Sequence, residues 1–445
     1  MTPPTLPLPV SLMATVFLFI LLVLTLRQTR GIAARFIISA LWLRFIMSAF
    51  HQYTYDPLVA GLSGNALGSI TVTVFGLLVL RPRYWSLKIL LPVYSIIGLV
   101  LLSAFVNGAP ASALNTIVKY LYFIVILVGI YQALRENEAS RFTLALLSAF
   151  TPLFIFFVLS LVLGVVKQSE ADGSASYIGG YYHEAAFSIA LLGAFFVLSL
   201  QSKWSLLWKI TALALAAAAI YLANYRTSIL ALVPLAFYGF AGESVKHVLP
   251  RQRALVGIAA VAAALAVLIA LGATVSDRFS DVAAFASAPE RYIKPPQDFT
   301  REDMRLMSSR AYIWSTYFYS WAEAGPVQQL FGFGPDSWQD LMLVYPHNTL
   351  LAALFELGVF GVVMMLLFWA SMFGVALRIK RDVRWQFILA HGAFFILNMA
   401  TMALWQIEGI IFYALICGYS LHYALIPRPM PLASLAFQQS RPAVQ

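Results

Sequence analysis

His347 stands where a general base would be useful. It lies in Tyr345-Pro-His-Asn-Thr-Leu350, at the mouth of a long apolar run. Pro346 fixes the approach, and Asn348 or Thr349 is available to cap the helix that follows. The positive end of a helix dipole disfavours imidazolium, so the ring is expected to stay neutral and able to take a proton from a hydroxyl. The plainer reading, a polar residue at a helix mouth, is weakened by the arginines that share its compartment. Arg226 sits in Asn224-Tyr-Arg-Thr-Ser228, with no acid within fifteen residues and with Thr227 or Ser228 placed to cap the next helix. The stretch 273–346 adds Arg278, Arg291, Lys294, Arg301, Arg305 and Arg310. Guanidinium groups grip phosphate oxygens two at a time and stay charged at any physiological pH. A cluster of them beside a bilayer therefore suggests a lipid-linked phosphate or pyrophosphate. For Arg301 and Arg305 an ordinary pairing with Glu302 and Asp303 on a solvated helix is equally open. His183 and Glu184, in Gly179-Gly-Tyr-Tyr-His-Glu184 beyond Glu170 and Asp172, are secondary candidates for acid–base work or sugar contact. Glu356 is roughly 13 Å deeper than His347 by helix rise and on the opposite face. It cannot orient the imidazole, and with Gly358 and Gly361 it reads as a close-packing element.

These side chains must be carried by membrane helices. Of 445 residues, 61% are hydrophobic and 11% charged, and the mean hydropathy is +0.81. Soluble and disordered chains are excluded by those proportions. Uninterrupted apolar runs exclude a barrel, whose strands alternate. The runs fall at 8–26, 32–50, 66–80, 89–106, 113–133, 142–166, 184–201, 206–223, 227–242, 254–272, 348–377, 385–404 and 409–425, about thirteen spans at some 20 residues each. The expectation is an all-α polytopic integral membrane protein of 12–13 helices with one long outer loop. Residues 1–272 hold the N-terminal helices, 273–346 a loop with short helices around Arg310 to Trp321 and a turn at Gly332-Phe-Gly-Pro335, 347–427 the C-terminal helices, and 428–445 a tail. The first run has no basic segment before it and no cleavage site after it, so it is expected to remain as a helix. The net charge of +10 gathers in short clusters behind the odd-numbered runs. Positive-inside topology accounts for it, and nucleic acid is excluded as a partner. That places the N-terminus, Arg226, the long loop and His347 outside, and the tail inside. The single Cys417 excludes disulfides and cysteine metal sites, and no pair at metal-ligand spacing occurs, so no cofactor is expected. Arg44 and Lys119, inside spans, are read as snorkelling. Asn398, Gln406 and Glu408 could line a cavity near the last outer turn.

Asn224-Tyr-Arg226-Thr-Ser, Ser309-Arg310-Ala-Tyr-Ile-Trp314, Gly332-Phe-Gly-Pro335 and Pro346-His347-Asn348 through Glu356-Leu-Gly358-Val-Phe-Gly361 together resemble the O-antigen ligase and Wzy-type polysaccharide polymerase superfamily. The likeness covers about residues 220–375 by motif and the rest by topology. It implies a metal-independent, inverting glycosyltransferase of the multi-span C type in the bacterial inner membrane, with its active site facing the periplasm. Its donor would be an undecaprenyl-pyrophosphate-linked oligosaccharide and its acceptor a glycan hydroxyl, with a chain-length regulator as a further partner. By the same resemblance Arg226 and Arg310 would hold the donor pyrophosphate, with Arg301 and Arg305 less firmly placed, and His347 would activate the acceptor. Polymerisation of repeat units, as in exopolysaccharide synthesis, is the reading preferred, because the aromatic loop and the Tyr-rich segment before His183 offer surface for a growing chain. The alternatives are ligation to lipid A-core and, from another class, a lipid-linked oligosaccharide flippase.

Overall fold

Inside hydrocarbon no water is available to the backbone, so each apolar run closes its own hydrogen bonds as a helix. The computed structural model describes residues 4–59, 61–168, 175–246, 248–253, 255–259, 262, 287 and 293–425. Its helices are α1 Leu8–Gln28, α2 Ile32–Ala49, α3 His51–Thr54, α4 Gly64–Val79, α5 Leu91–Val106, α6 Ala113–Glu136, α7 Ala139–Leu147, α8 Thr151–Val162, α9 Glu184–Leu200, α10 Leu206–Leu222, α11 Arg226–Ala236 and α12 Glu243–Lys246. Beyond the segment around residue 270 come α13 Arg310–Ala322, α14 Pro326–Phe331, α15 Trp338–Leu341, α16 Thr349–Leu377, α17 Arg381–Ala400 and α18 Ile407–Ala424. Among the described residues seven helical stretches are long and apolar enough to cross a bilayer, and four shorter apolar helices accompany them. The chain is an all-α polytopic membrane protein. The expected run at 254–272 lies mostly outside the described residues, as do Glu170, Asp172, Arg278, Arg291 and the tail 428–445; every other expected run coincides with a helix. Two short antiparallel ribbons, Pro57–Val59 with Leu62–Ser63 and Lys167–Gln168 with Ala175–Ser176, are the only strands among those residues.

Helices apolar on every side belong in the centre of the bundle. α18 is 83% buried, whereas α1 is 17% buried and offers its flank to lipid. The loop before α9 is fixed by contacts to the N-terminal helices: the His51 ring nitrogen Nδ1 meets the Gly180 carbonyl at 2.7 Å, and Tyr182 packs against both His51 and Tyr55.

One polar contact crosses nearly the whole sequence. Arg44 of α2 donates from Nε to Glu408 of α18 at 3.0 Å, and the Ser48 hydroxyl donates to the same oxygen at 2.8 Å. The two charged side chains are 10% and 2% exposed, so Arg44 does not snorkel and Glu408 does not line an open cavity; they neutralise each other. Removing one member would leave the other charge buried and unmatched. Glu408→Ala is expected to destabilise the protein by about 3 kcal/mol or more. Breaking the exposed Lys203–Glu138 pair should leave stability nearly unchanged, because solvent screens it. Thermal unfolding of the two variants in detergent measures the contrast.

Candidate active site

α16 begins with a firm cap. The Asn348 side chain accepts from the Leu350 and Leu351 amides at 3.0 and 3.1 Å, and its own amide donates to the Met399 carbonyl at 3.1 Å. The Thr349 hydroxyl donates to Asn398 Oδ1 at 2.6 Å, so the start of α16 is tied to the end of α17. Asn348 is therefore occupied as a cap. The residue before it, His347, takes φ 53°, a left-handed conformation that non-glycine residues adopt only when their surroundings impose it.

Those surroundings include α13. Trp314 Nε1 donates to the Pro346 carbonyl at 2.9 Å and the Tyr317 hydroxyl donates to the Val344 carbonyl at 2.7 Å. Three residues apart, they share one helix face. The same helix starts at Arg310, after Met307, Ser308 and Ser309 run left-handed at φ 52°, 55° and 66°. The aromatic stripe read from the sequence thus clamps residues 344–346 to α13, with Arg310 at its head.

A second clamp holds the loop to the bundle. α16 is broken at Gly358 (φ 68°, ψ −162°), which differs from the continuous helix expected. The Phe333 amide donates to the Phe355 carbonyl at 2.8 Å, and the Gly334 amide to the Glu356 carbonyl at 3.1 Å. Ser103 of α5 donates to the same Glu356 oxygen at 2.9 Å. The Gly332 turn replaces helical donors with its own amides. A Cβ on Gly332 would overlap the Glu356 backbone, and one on Gly358 the Leu330 backbone.

Around the start of α16 the polar groups converge. The His347 ring centre is 3.9 Å from that of Tyr345. Burial, then the Arg310 guanidinium, then His183 push the His347 imidazole down to about 4. It is therefore neutral at physiological pH, as expected, though burial and Arg310 rather than the helix dipole do most of this. Its Nδ1 is buried and has no hydrogen-bond partner among the described residues. Arg310 is similarly placed: its Nε is buried without a partner among those residues, and Nη1 only reaches the Met307 carbonyl at 3.5 Å. Tyr345 senses Arg310, Tyr225 and Glu184, and burial foremost pushes its phenol up to about 12. The His183 and Tyr225 rings lie 6.3 Å apart, and the Tyr225 hydroxyl bonds that of Thr401.

The remaining expected residues divide. Arg226 directly follows Tyr225 and opens α11, half-buried. Neither Thr227 nor Ser228 caps that helix; Ser228 accepts from Ser188 at 3.0 Å instead. His183 caps α9, its Nδ1 accepting from the Ala185 amide at 3.1 Å, and Glu184 is ion-paired to Lys167 at 2.6 Å. Both border the cluster, with structural duties of their own. Arg301 is exposed, and nothing among the described residues joins it to His347. Arg305 falls in the turn Asp303–Ser309, with its side chain outside the described residues. Asp303 pairs with Lys294 at 2.8 Å and with neither arginine in that ion pair; the Lys294 ammonium foremost holds its carboxyl down at about 2. Lys119 lies over the Trp405 ring at 4.0 Å instead of snorkelling. Among the described residues no group of three His, Cys, Asp or Glu side chains gathers as metal ligands.

Residues 211–366, from α10 into α16, match the family model described as O-antigen ligase (Wzy_C). Over this segment the chain is similar to the O-antigen ligase family. No curated protein matches the chain. The O-antigen ligase segment contains Arg226, Arg310, His347 and both glycines of the second clamp. His183, Lys119 and Trp405 lie outside it. Tyr225 and Tyr345, absent from the sequence-based candidates, were within reach, the first beside Arg226 and the second two residues before His347. Trp405 and Lys119 carry no such local mark. Gly332→Ala and Gly358→Ala are each expected to lower stability by about 1–3 kcal/mol. Gly374→Ala, with open space around its would-be Cβ, should leave thermal unfolding unchanged.

Proposed function

We propose that the protein transfers a glycan from an undecaprenyl-pyrophosphate carrier to a sugar hydroxyl on the periplasmic face of a bacterial inner membrane, and that it polymerises repeat units. The observation that carries this is the half-buried Arg310, whose Nε is enclosed without a partner among the described residues, near a neutral, half-buried His347. A buried cation left short of partners is costly unless an anion completes it. A diphosphate supplies that anion. An open apolar groove of about 480 Å³ between α13 and α16, lined in part by Trp314, Phe318, Leu350, Leu354 and Val359, reaches Asn348 next to His347 and suits the prenyl chain.

In the reaction the acceptor oxygen attacks the anomeric carbon and its proton passes to the His347 imidazole. The bond from that carbon to the diphosphate oxygen breaks, and its electron pair leaves with the diphosphate lipid. Arg310 and Arg226 stabilise the charge that grows on the leaving group, without need of a metal. Attack opposite the departing oxygen inverts the anomeric centre. A base at about 4 is weak in the free enzyme. The bound diphosphate offsets the Arg310 charge and raises His347 towards the working pH.

His347→Ala, Arg310→Ala and Arg226→Ala are each expected to abolish polymer while protein level and membrane insertion stay normal, read on glycan gels and immunoblots. Wild-type product from all three would overturn the reading. In pH profiles, protonating the imidazole removes the base, so rates fall as pH drops. The limb for kcat/KM, which reports free enzyme, is expected near pH 4, and the limb for kcat, which reports the donor complex, at higher pH.

Ligation to lipid A-core is the second reading, favoured by the description of the matched family. A deletion strain separates the two. Loss of long chains with single-unit products persisting indicates a polymerase. Lipid-linked chains accumulating without transfer to lipid A-core indicate a ligase.

A further inference from the structure

The polar groups around Trp405 form a second cluster, contiguous with His347 through Tyr345. The Tyr345 ring is stacked near Trp405 (centres 6.1 Å apart, planes 19°), and Trp338 meets both, at 5.9 and 5.3 Å. Lys119 reaches the Trp405 face from α6. It also interacts electrostatically with Asp336 and Glu356. Asp336, held left-handed at φ 58°, accepts from Asn115 at 2.8 Å on Oδ2. Its Oδ1 is buried with no hydrogen-bond partner among the described residues, as are Trp338 Nε1, Trp405 Nε1 and Gln406 Oε1.

Each such donor or acceptor costs about 1–3 kcal/mol when left unmade, and native structures seldom keep several together without a use for them. The cluster pairs flat aromatic faces with indole donors and amide and carboxylate acceptors at their edges. A saccharide has the matching chemistry: axial C–H groups that lie against a ring, and hydroxyls around its rim that both donate and accept. A prenyl chain would leave the polar atoms unsatisfied, and a second phosphate would meet the Asp336 carboxylate.

We propose that Trp338, Trp405, Tyr345, Asp336 and Lys119 form the acceptor-sugar subsite. It holds the glycan whose hydroxyl faces His347, while Arg310 and Arg226 serve the donor. This rests on the glycan-transfer reading above. It adds that acceptor recognition depends on α6, on the turn before α18 that carries Trp405 and on the turn at Asp336, the first two outside the segment that matches the O-antigen ligase family.

The test uses full-length protein in detergent, the native lipid-linked glycan as donor, and as acceptor probe the lipid-free repeat oligosaccharide released from the host's own polysaccharide by mild acid. Trp405→Phe and Asp336→Asn each keep shape and remove one polar contact. Each is expected to raise the acceptor KM about tenfold with the donor KM unchanged. Direct titration of the oligosaccharide onto His347→Ala protein should show binding that Asp336→Asn weakens by a similar factor. An unchanged acceptor KM in both variants, a rise in donor KM instead, or oligosaccharide binding indifferent to Asp336→Asn would overturn the subsite. Should His347→Ala make normal product while the variants still weaken oligosaccharide binding, the catalytic assignment fails and the subsite stands.

Discussion

A helix that breaks inside a bilayer must find new donors for the carbonyls it releases. In α16 the break at Gly358 frees the Phe355 and Glu356 carbonyls, and the amides of Phe333 and Gly334 with the Ser103 hydroxyl take them. That exchange makes the loop part of the membrane body. Asn107 adds to it by donating to the Gly332 carbonyl at 3.0 Å. Because the loop also carries Arg310 and the helix carries His347 at its head, the same bonds fix the distance between cation and imidazole. The second anchor, Trp314 and Tyr317 on the 344–346 carbonyls, removes the remaining freedom. A site built on a loop thereby gains the rigidity of one built on helices.

The electrostatics follow from that rigidity. Arg44 and Glu408 show how the bundle treats a charge that serves no ligand, matching it and shutting it away. Arg310 is treated otherwise, half-buried with an enclosed Nε that no described protein group satisfies. The difference separates two kinds of arginine that the sequence presents alike. Burial also keeps His347 uncharged, so the imidazole does not repel the guanidinium near it.

The helical class and most of its elements were legible in the sequence, because apolar length alone decides them in a membrane. Arg226, Arg310 and His347 stood out because a charged or titratable group at an outer helix end needs a reason. Other features could not be read. The Arg44–Glu408 pair joins residues 364 positions apart, and no local pattern marks it. Residue type points to Thr227 or Ser228 as the cap of α11, but the preceding backbone turns at Tyr225 and leaves Ser228 to Ser188. Asp303 also pairs with Lys294, nine positions earlier, a partner that no local pattern announces. The break in α16 was hidden because Gly358 sits in a run of high hydropathy; only the approach of Leu330 reveals why glycine is required there.

The Arg44–Glu408 contact also bears on biogenesis. α2 precedes α18 in the chain, so Arg44 is made well before its counter-charge, and the pair closes only once the helices between them are in place. The turn that leads into α18 carries Trp405, which lies beside Tyr345, so the step that brings Glu408 to Arg44 also brings that ring to the Tyr345 side of the candidate site.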